Sequence, residues 1–450
     1  MDKKGKLVVI GGDAAGMSAA LKVRREQPKR EIVVFEKGEH TPYAACGMPY
    51  YIAGMVDSYD DLIARKPEVF RKKQNIAVHI RHEVIAIDLQ EKWVEVRNLE
   101  KDEVFRESSD SLLIATGASP LLPDLPGIRS KGVFALSSLQ SGMDIFRFLE
   151  EEKPGKAVIV GGGYIGIEMA EAFLERGLEV SMLDMAPQVM STLDPDIATV
   201  LSDYMQAEGV TLYLEEKLQE IEINEKGSLT RVVTEKRTLD ADLVILGLGI
   251  KPNAGLAGKA GIALGANGAV RVDKKMQTSA EAVWAAGDCA TSYHLVKQEE
   301  TYVALGTVAN KHGLVAGINL SGGDVEFPGV LGTAITKFRE LEIARTGISE
   351  KEANEMGLKF RAAKVDTYTR SAYYPESGKI TVKLLAEKES GWLLGGQIVG
   401  KAGAGKRIDT LATAIASGMT AQQVVDLDLA YAPPFSPVWD PVQTAARRLV

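Results

Sequence analysis

The chain repeats one pattern of apolar and polar positions. Residues 7–36 read LVVIGGDAAGMSAALKVRREQPKREIVVFE, and residues 157–184 read AVIVGGGYIGIEMAEAFLERGLEVSMLD. Each opens with a short β-branched run bounded by glycine, which predicts a buried strand. A glycine turn follows, then Ala, Met and Leu at helical spacing, then a second apolar run ending in a carboxylate. Gly11 and Gly16 recur as Gly161 and Gly166, at one constant offset of 150. Two strand–helix–strand units predict an α/β protein with two Rossmann-like domains.

The turn chemistry explains the repeat. Glycine lets the backbone turn tightly and approach a pyrophosphate, whose charge then sits at a helix N-terminus. A carboxylate about 20 residues further on accepts from a ribose hydroxyl. Glu36 lies 20 residues after Gly16, and Asp184 lies 18 after Gly166. The second unit keeps the whole G-x-G-x-x-G as Gly161, Gly163 and Gly166, whereas the first carries Asp13 at the middle glycine position.

Two further strand-to-turn segments are SLLIATGASP (111–120), with Thr116-Gly117, and AVWAAGDCA (282–290), with Gly287-Asp288. Residues 301–318 read as a helix whose small residues allow close backbone approach. From about 327 the pattern changes to alternating strands, including KITVKLLA (379–386) and GWLLGGQIVG (391–400). A helix at 407–419 and a proline-rich end follow, which predicts a separate α+β domain.

Composition narrows the classes. In 450 residues, 45% are hydrophobic and 25% charged, an ordinary globular balance that excludes disordered and collagen-like chains. Lys+Arg at 53 against Asp+Glu at 61 gives −8, which argues against a general nucleic-acid binder. No apolar stretch reaches membrane-span length. The start, MDKKGKLVVIGG, lacks the core of an export signal, so a cytoplasmic protein is expected. The five histidines (40, 79, 82, 294, 312) show no zinc-like spacing with cysteine, and no metal is expected.

Only Cys46 and Cys289 are present, too few for a disulfide framework. Cys46 lies in EKGEHTPYAACGMPYYIAG (36–54), where small residues before it and Gly-Met-Pro after it predict a turn opening a helix, with the thiol in its first turn. A helix N-terminus favours the anion. Moving a thiol from about 8.5 to about 6 would raise the thiolate share at neutral pH from a few per cent to roughly 90%. The alternative is a buried small hydrophobe.

The motif Y-A-A-C-G-M-P-Y, with G-G-D-A-A-G near the start and Y-A-P-P-F-S-P-V-W-D-P at 431–441, resembles the coenzyme A-disulfide reductases. These form part of the single-cysteine branch of the FAD-dependent pyridine nucleotide–disulfide oxidoreductases, with NADH oxidase, NADH peroxidase and persulfide or polysulfide reductase relatives. The resemblance runs from residue 7 to about 441. It implies a glutathione reductase-like architecture: an FAD-binding domain in two parts, 1–118 and 247–326, an NAD(P)H-binding domain at 119–246, and a dimerisation domain at 327–450. The rhodanese domain that some branch members carry is not expected here.

By the same resemblance, Gly11, Gly16, Glu36, Thr116, Gly117 and Asp288 would hold FAD. Gly161, Gly163, Gly166 and Asp184 would hold the nicotinamide dinucleotide, with Glu168 on the nicotinamide side. Tyr164 resembles an aromatic gate over the flavin; a packed helix residue is the alternative. Asp184, with no Lys or Arg through Gln188, points to NADH, with NADPH as the alternative. Tyr431 and Tyr373 match a pair placed over the partner subunit's cysteine, implying a homodimer with shared sites. Lys22, Arg25, Lys72 and Lys311, with Arg71 and Lys73, are candidates for coenzyme A phosphates, and Phe70 for covering its adenine. Two departures matter: Ala45 stands where the branch often has Asn, and Ala14 where its peroxidases and oxidases have His.

The fifth residue after Cys46 is Tyr51, so the second thiol of the dithiol enzymes is missing and the sulfur partner must come from outside. The expected reaction passes a hydride from NADH through FAD to Cys46, which reduces coenzyme A disulfide through a Cys46–S–S–coenzyme A mixed disulfide. Reduction of coenzyme A persulfide or polysulfide is the first alternative and NADH oxidation the second. Cys289, beside Asp288, reads as a packed small residue.

Overall fold

A computed structural model describes residues 5–450. Lys3 and Lys4, part of the segment considered for an export signal, lie outside the described residues.

The first glycine unit builds a five-stranded parallel sheet in the order Val283–Ala285, Ser111–Ile114, Leu7–Ile10, Ile32–Phe35, Ala77–His79. The second builds another in the order Val133–Phe134, Leu243–Leu246, Lys156–Val160, Glu179–Leu183, Val210–Tyr213. The central strands of both are buried on both faces, which explains why their sequences run apolar without alternation. The strand Val283–Ala285 returns to the first sheet only after the second is complete.

The helix of the 301–318 segment spans Gly306–Leu320. It does not begin at 301, because Glu299–Thr301 pairs as a strand with Ser292–His294 and Leu305 is extended. Its small residues act as expected. A Cβ on Gly313 would lie 2.3 Å from the Ala15 carbonyl oxygen, and one on Gly317 2.8 Å from that of Ala19. The helix therefore packs directly on the first-unit helix, Ala14–Glu26.

The C-terminal region is a five-stranded antiparallel sheet in the order Ala334–Phe338, Leu341–Gly347, Leu393–Gly400, Lys379–Glu387, Phe360–Tyr368. The helices Ile408–Ala416 and Pro441–Ala446 cover it with apolar faces. Among the described residues, no helix is long and apolar enough to cross a membrane.

Two histidines, His294 and His312, are buried. His294 accepts from the Val296 and Lys297 amides at Nδ1, and His312 meets Ser292 Oγ at 3.1 Å. Burial pushes both down to about 4. The unfolded chain binds their protons first, so stability rises with pH across the window from 4 to 6.5. Denaturant unfolding at pH 5 should show about 2 kcal/mol lost per histidine relative to pH 7. His312→Gln should remove its share of that drop; an undiminished drop would contradict the assignment.

Candidate active site around Cys46

Both glycine turns are closed by the same atoms. Gly11 and Gly161 have φ of +101° and +110°, and a Cβ on either would lie 2.1 Å from the Ala115 carbonyl oxygen or 2.3 Å from that of Gly247. Gly16 and Gly166 tolerate no Cβ either: it would lie 2.0 Å from the carbonyl oxygen of Gly11 or Gly161. The carboxylates expected to face ribose also bind the turns themselves. Glu36 accepts from the Gly12 amide at 2.8 Å and the Gly38 amide at 2.6 Å. Asp184 accepts from Gly162 at 2.6 Å and Ala186 at 2.8 Å. Gly12 and Gly162 were missed in the sequence, although the 150-residue offset marks them as a pair.

Asp13 ends up half-buried just before the first-unit helix, accepting from the Tyr43 amide at 3.3 Å. Burial, with the nearby charges of Glu36 and Asp288, pushes its carboxyl up to about 6. Gly287 has φ +80°, and its Cβ would lie 2.9 Å from Ala15 Cβ, so Asp288 is carried hard against the same helix. Asp288 Oδ1 is buried without a hydrogen-bond partner. A buried acceptor left open beside a turn that excludes any Cβ fits a polar chain such as the ribityl of FAD. Thr116 donates its hydroxyl to the Asn253 carbonyl at 2.7 Å, while Gly117, with φ +65°, borders open space. Asn253, which returns a bond to the Thr116 carbonyl at 2.9 Å, had no signal in the sequence.

Cys46 sits in a 3-10 turn, Ala45–Gly47, immediately before the short helix Met48–Ala53. This loop is tied to the first glycine turn, where Thr41 donates to the Gly12 carbonyl and the Tyr43 amide to Asp13. Its helix is tied to the second unit by Arg176, which donates to the Ile52 carbonyl at 2.8 Å. The fold thus suspends Cys46 between the two nucleotide units.

The thiol departs from expectation. Cys46 is exposed, yet the atoms packed around its sulfur desolvate the anion. That burial, followed by the charges of Glu168, Asp288 and Asp13, raises its pKa rather than lowering it. Desolvation, with the repulsion of these carboxylates added to it, outweighs the short helical start. Glu168 itself is raised by burial and accepts from Thr336 Oγ1 at 3.0 Å. Cys289 is fully buried, its Sγ 3.4 Å from the Ile114 and Ala286 carbonyls, as a packing residue would be.

In the second unit, a Cβ on Gly163 would meet nothing within 4 Å, so this turn faces open space. Tyr164 follows it, half-buried, with Thr192 and Arg345 beside its hydroxyl. Phe70 corrects an expectation: it is 1% exposed inside the first unit's core, beneath Arg65, and offers no surface to an adenine. Lys22 pairs with Glu26. Arg25, Lys72 and Lys311 are exposed and, among the described residues, make no ion pair. Tyr373 and Tyr431 lie 76% and 47% exposed. Their segments are held together by the Ser371 amide on the Pro433 carbonyl and by Arg407, which donates to the Thr369 and Phe435 carbonyls.

A pyridine nucleotide-disulphide oxidoreductase family model matches residues 5–313, and that family's dimerisation-domain model matches 333–441. The chain belongs to this family. It is an NAD(P)H-dependent flavoprotein oxidoreductase of the disulfide and persulfide reductase group. It is 42% identical over 447 residues to the NAD(P)H coenzyme A polysulfide/persulfide reductase of Pyrococcus horikoshii, covering 99% of this chain and 98% of that one. The coenzyme A disulfide reductase of Staphylococcus haemolyticus is 30% identical over 434 residues, 96% of each chain. A solved NAD-dependent persulfide reductase from A. fulgidus superposes with a TM-score of 0.94 at 38% identity, covering 98% of this chain and 82% of the other. The family requires FAD and NAD(P)H, and the two glycine turns with the open Asp288 oxygen fit that requirement.

Proposed function

We propose that the protein uses NADH to cleave a sulfur–sulfur bond carried by coenzyme A, with Cys46 as the attacking sulfur. The observation that carries this reading is one exposed thiol suspended between two nucleotide units, with Tyr51 where a second thiol would stand. FAD, when bound, supplies the two-electron relay between nicotinamide and sulfur. It would be held by Gly11, Gly16, Glu36, Thr116, Gly117 and Asp288, within a domain formed by 1–118 and 247–326. The dinucleotide would be held by Gly161, Gly163, Gly166 and Asp184, within 119–246, with Tyr164 and Glu168 facing the nicotinamide.

The Cys46 thiolate attacks one sulfur of the substrate, forming a protein disulfide while the other sulfur leaves as a thiolate. With coenzyme A disulfide, this gives Cys46–S–S–coenzyme A and one free coenzyme A. With coenzyme A persulfide, attack on the outer sulfur gives a Cys46 persulfide and free coenzyme A. Two electrons from NADH then restore Cys46, releasing a second coenzyme A or hydrogen sulfide. The sequence alone puts the disulfide first; the 42% identity to a polysulfide/persulfide reductase now favours the persulfide, with the disulfide as the second reading.

Tyr373 and Tyr431, both exposed in the dimerisation domain, would stabilise the leaving thiolate across a homodimer interface. Lys22, Arg25, Lys72 and Lys311 would meet the coenzyme A phosphates. The test is intact mass after incubation with coenzyme A disulfide. An adduct of one coenzyme A on Cys46, lost on reduction, is expected if the disulfide is cleaved; an unchanged mass with intact FAD would overturn the disulfide reading. Sulfide release per NADH from coenzyme A persulfide then ranks the two substrates.

A further inference from the structure

The loop that follows Asp184 is folded against the second glycine turn. Met190 donates its amide to the Gly162 carbonyl at 2.8 Å, and Val189 fills the space in which a Cβ on Gly162 would lie, 3.0 Å away. Gln188 ties the loop internally through the Leu193 carbonyl at 2.9 Å. Thr192 lies beside the Tyr164 hydroxyl. The segment Gln188–Asp194 thus touches both the turn and the aromatic residue that face the nicotinamide dinucleotide.

What holds this loop from the other side belongs to the dimerisation domain. Arg345 donates to the Thr192 carbonyl at 3.0 Å. Gln397 makes a two-way contact with Asp194, accepting from its amide at 2.7 Å and donating to its carboxylate at 2.8 Å. The Glu350 amide adds a bond to Asp194 at 3.0 Å. Lys383 lies 3.2 Å from Asp194, 2.7 Å from Asp196 and 3.0 Å from Glu350. Asp194, Gln397 and Lys383 are all buried. A buried, fully partnered polar network of this kind has one geometry, because any shift leaves a desolvated charge or donor without its partner.

We propose that Gln397, Lys383 and Arg345 are positioning residues for the nicotinamide dinucleotide. By holding Gln188–Asp194 in place, the dimerisation domain fixes the shape of the second glycine turn and the setting of Tyr164. Dinucleotide affinity is therefore coupled to docking of that domain, although none of the three side chains lies in the nucleotide unit. The inference rests on the NAD(P)H dependence of the family.

The test uses the full-length, FAD-loaded protein with Gln397→Leu, which removes both bonds to Asp194 and keeps side-chain size. Hydrogen exchange at the amides of 188–194 should quicken, and the Kd for NAD+ should rise about tenfold, about 1.4 kcal/mol. The KM for NADH should rise with it, while kcat, FAD content and the KM for the sulfur substrate stay within about twofold. Arg345→Lys, which keeps the charge and shortens the reach, should give the same pattern at smaller size and decides the matter if Gln397→Leu does not fold. Faster exchange with unchanged NAD+ affinity would overturn the proposal, as would equal losses in NADH and sulfur-substrate affinity.

Discussion

Cys46→Ser is expected to lower NADH-dependent cleavage of coenzyme A disulfide or persulfide by roughly ten-thousandfold, because a hydroxyl at neutral pH offers almost no anion to attack sulfur. The same variant should bind FAD fully and bleach its absorbance with NADH at close to the wild-type rate. The two halves separate cleanly because the glycine turns are built without Cys46: Glu36 closes one and Asp184 the other. The substitution is also structurally mild, since Cys46 is exposed and sits in a 3-10 turn rather than in the core. Stopped-flow flavin reduction and steady-state turnover check the two parts. Retained turnover of either sulfur substrate would remove Cys46 from the reaction.

Gly16→Ala and Gly166→Ala should produce opposite failures from the same added methyl group. Both glycines lie within helices, so alanine would suit the local backbone. The obstacle is tertiary, because each new Cβ would sit 2.0 Å from a carbonyl oxygen of its own turn. Opening the first turn should strip FAD from the purified protein. Opening the second should leave FAD bound and weaken dinucleotide binding by about a hundredfold, about 2.7 kcal/mol. FAD absorbance per chain and NAD+ titration read the two effects. Loss of FAD in Gly166→Ala, with NAD+ binding weakened and FAD retained in Gly16→Ala, would reverse the assignment of the two units.

The thiol shows where local reasoning stops. A cysteine at the start of a helix reads as an activated thiolate, and the helix does form. Glu168, Asp288 and Asp13 come from three distant parts of the chain, and their charges together with burial act the other way. Phe70 makes the same point for shape: an aromatic among basic residues looks like a ligand cover until the fold turns it into the core.

By themselves, the residues of this chain determine the two glycine units, their strand–helix order, the lack of a second thiol near Cys46 and the change to alternating strands in the C-terminal part. These depend on local patterning and steric rules that act over a few turns of chain. The tertiary structure alone decides that burial and the charges of Glu168, Asp288 and Asp13 act on Cys46, that Asn253 caps Thr116, and that Gln397, Lys383 and Arg345 grip the loop after Asp184. Such contacts join residues up to about 200 positions apart, where no spacing rule operates and only burial and hydrogen-bond satisfaction choose the partner.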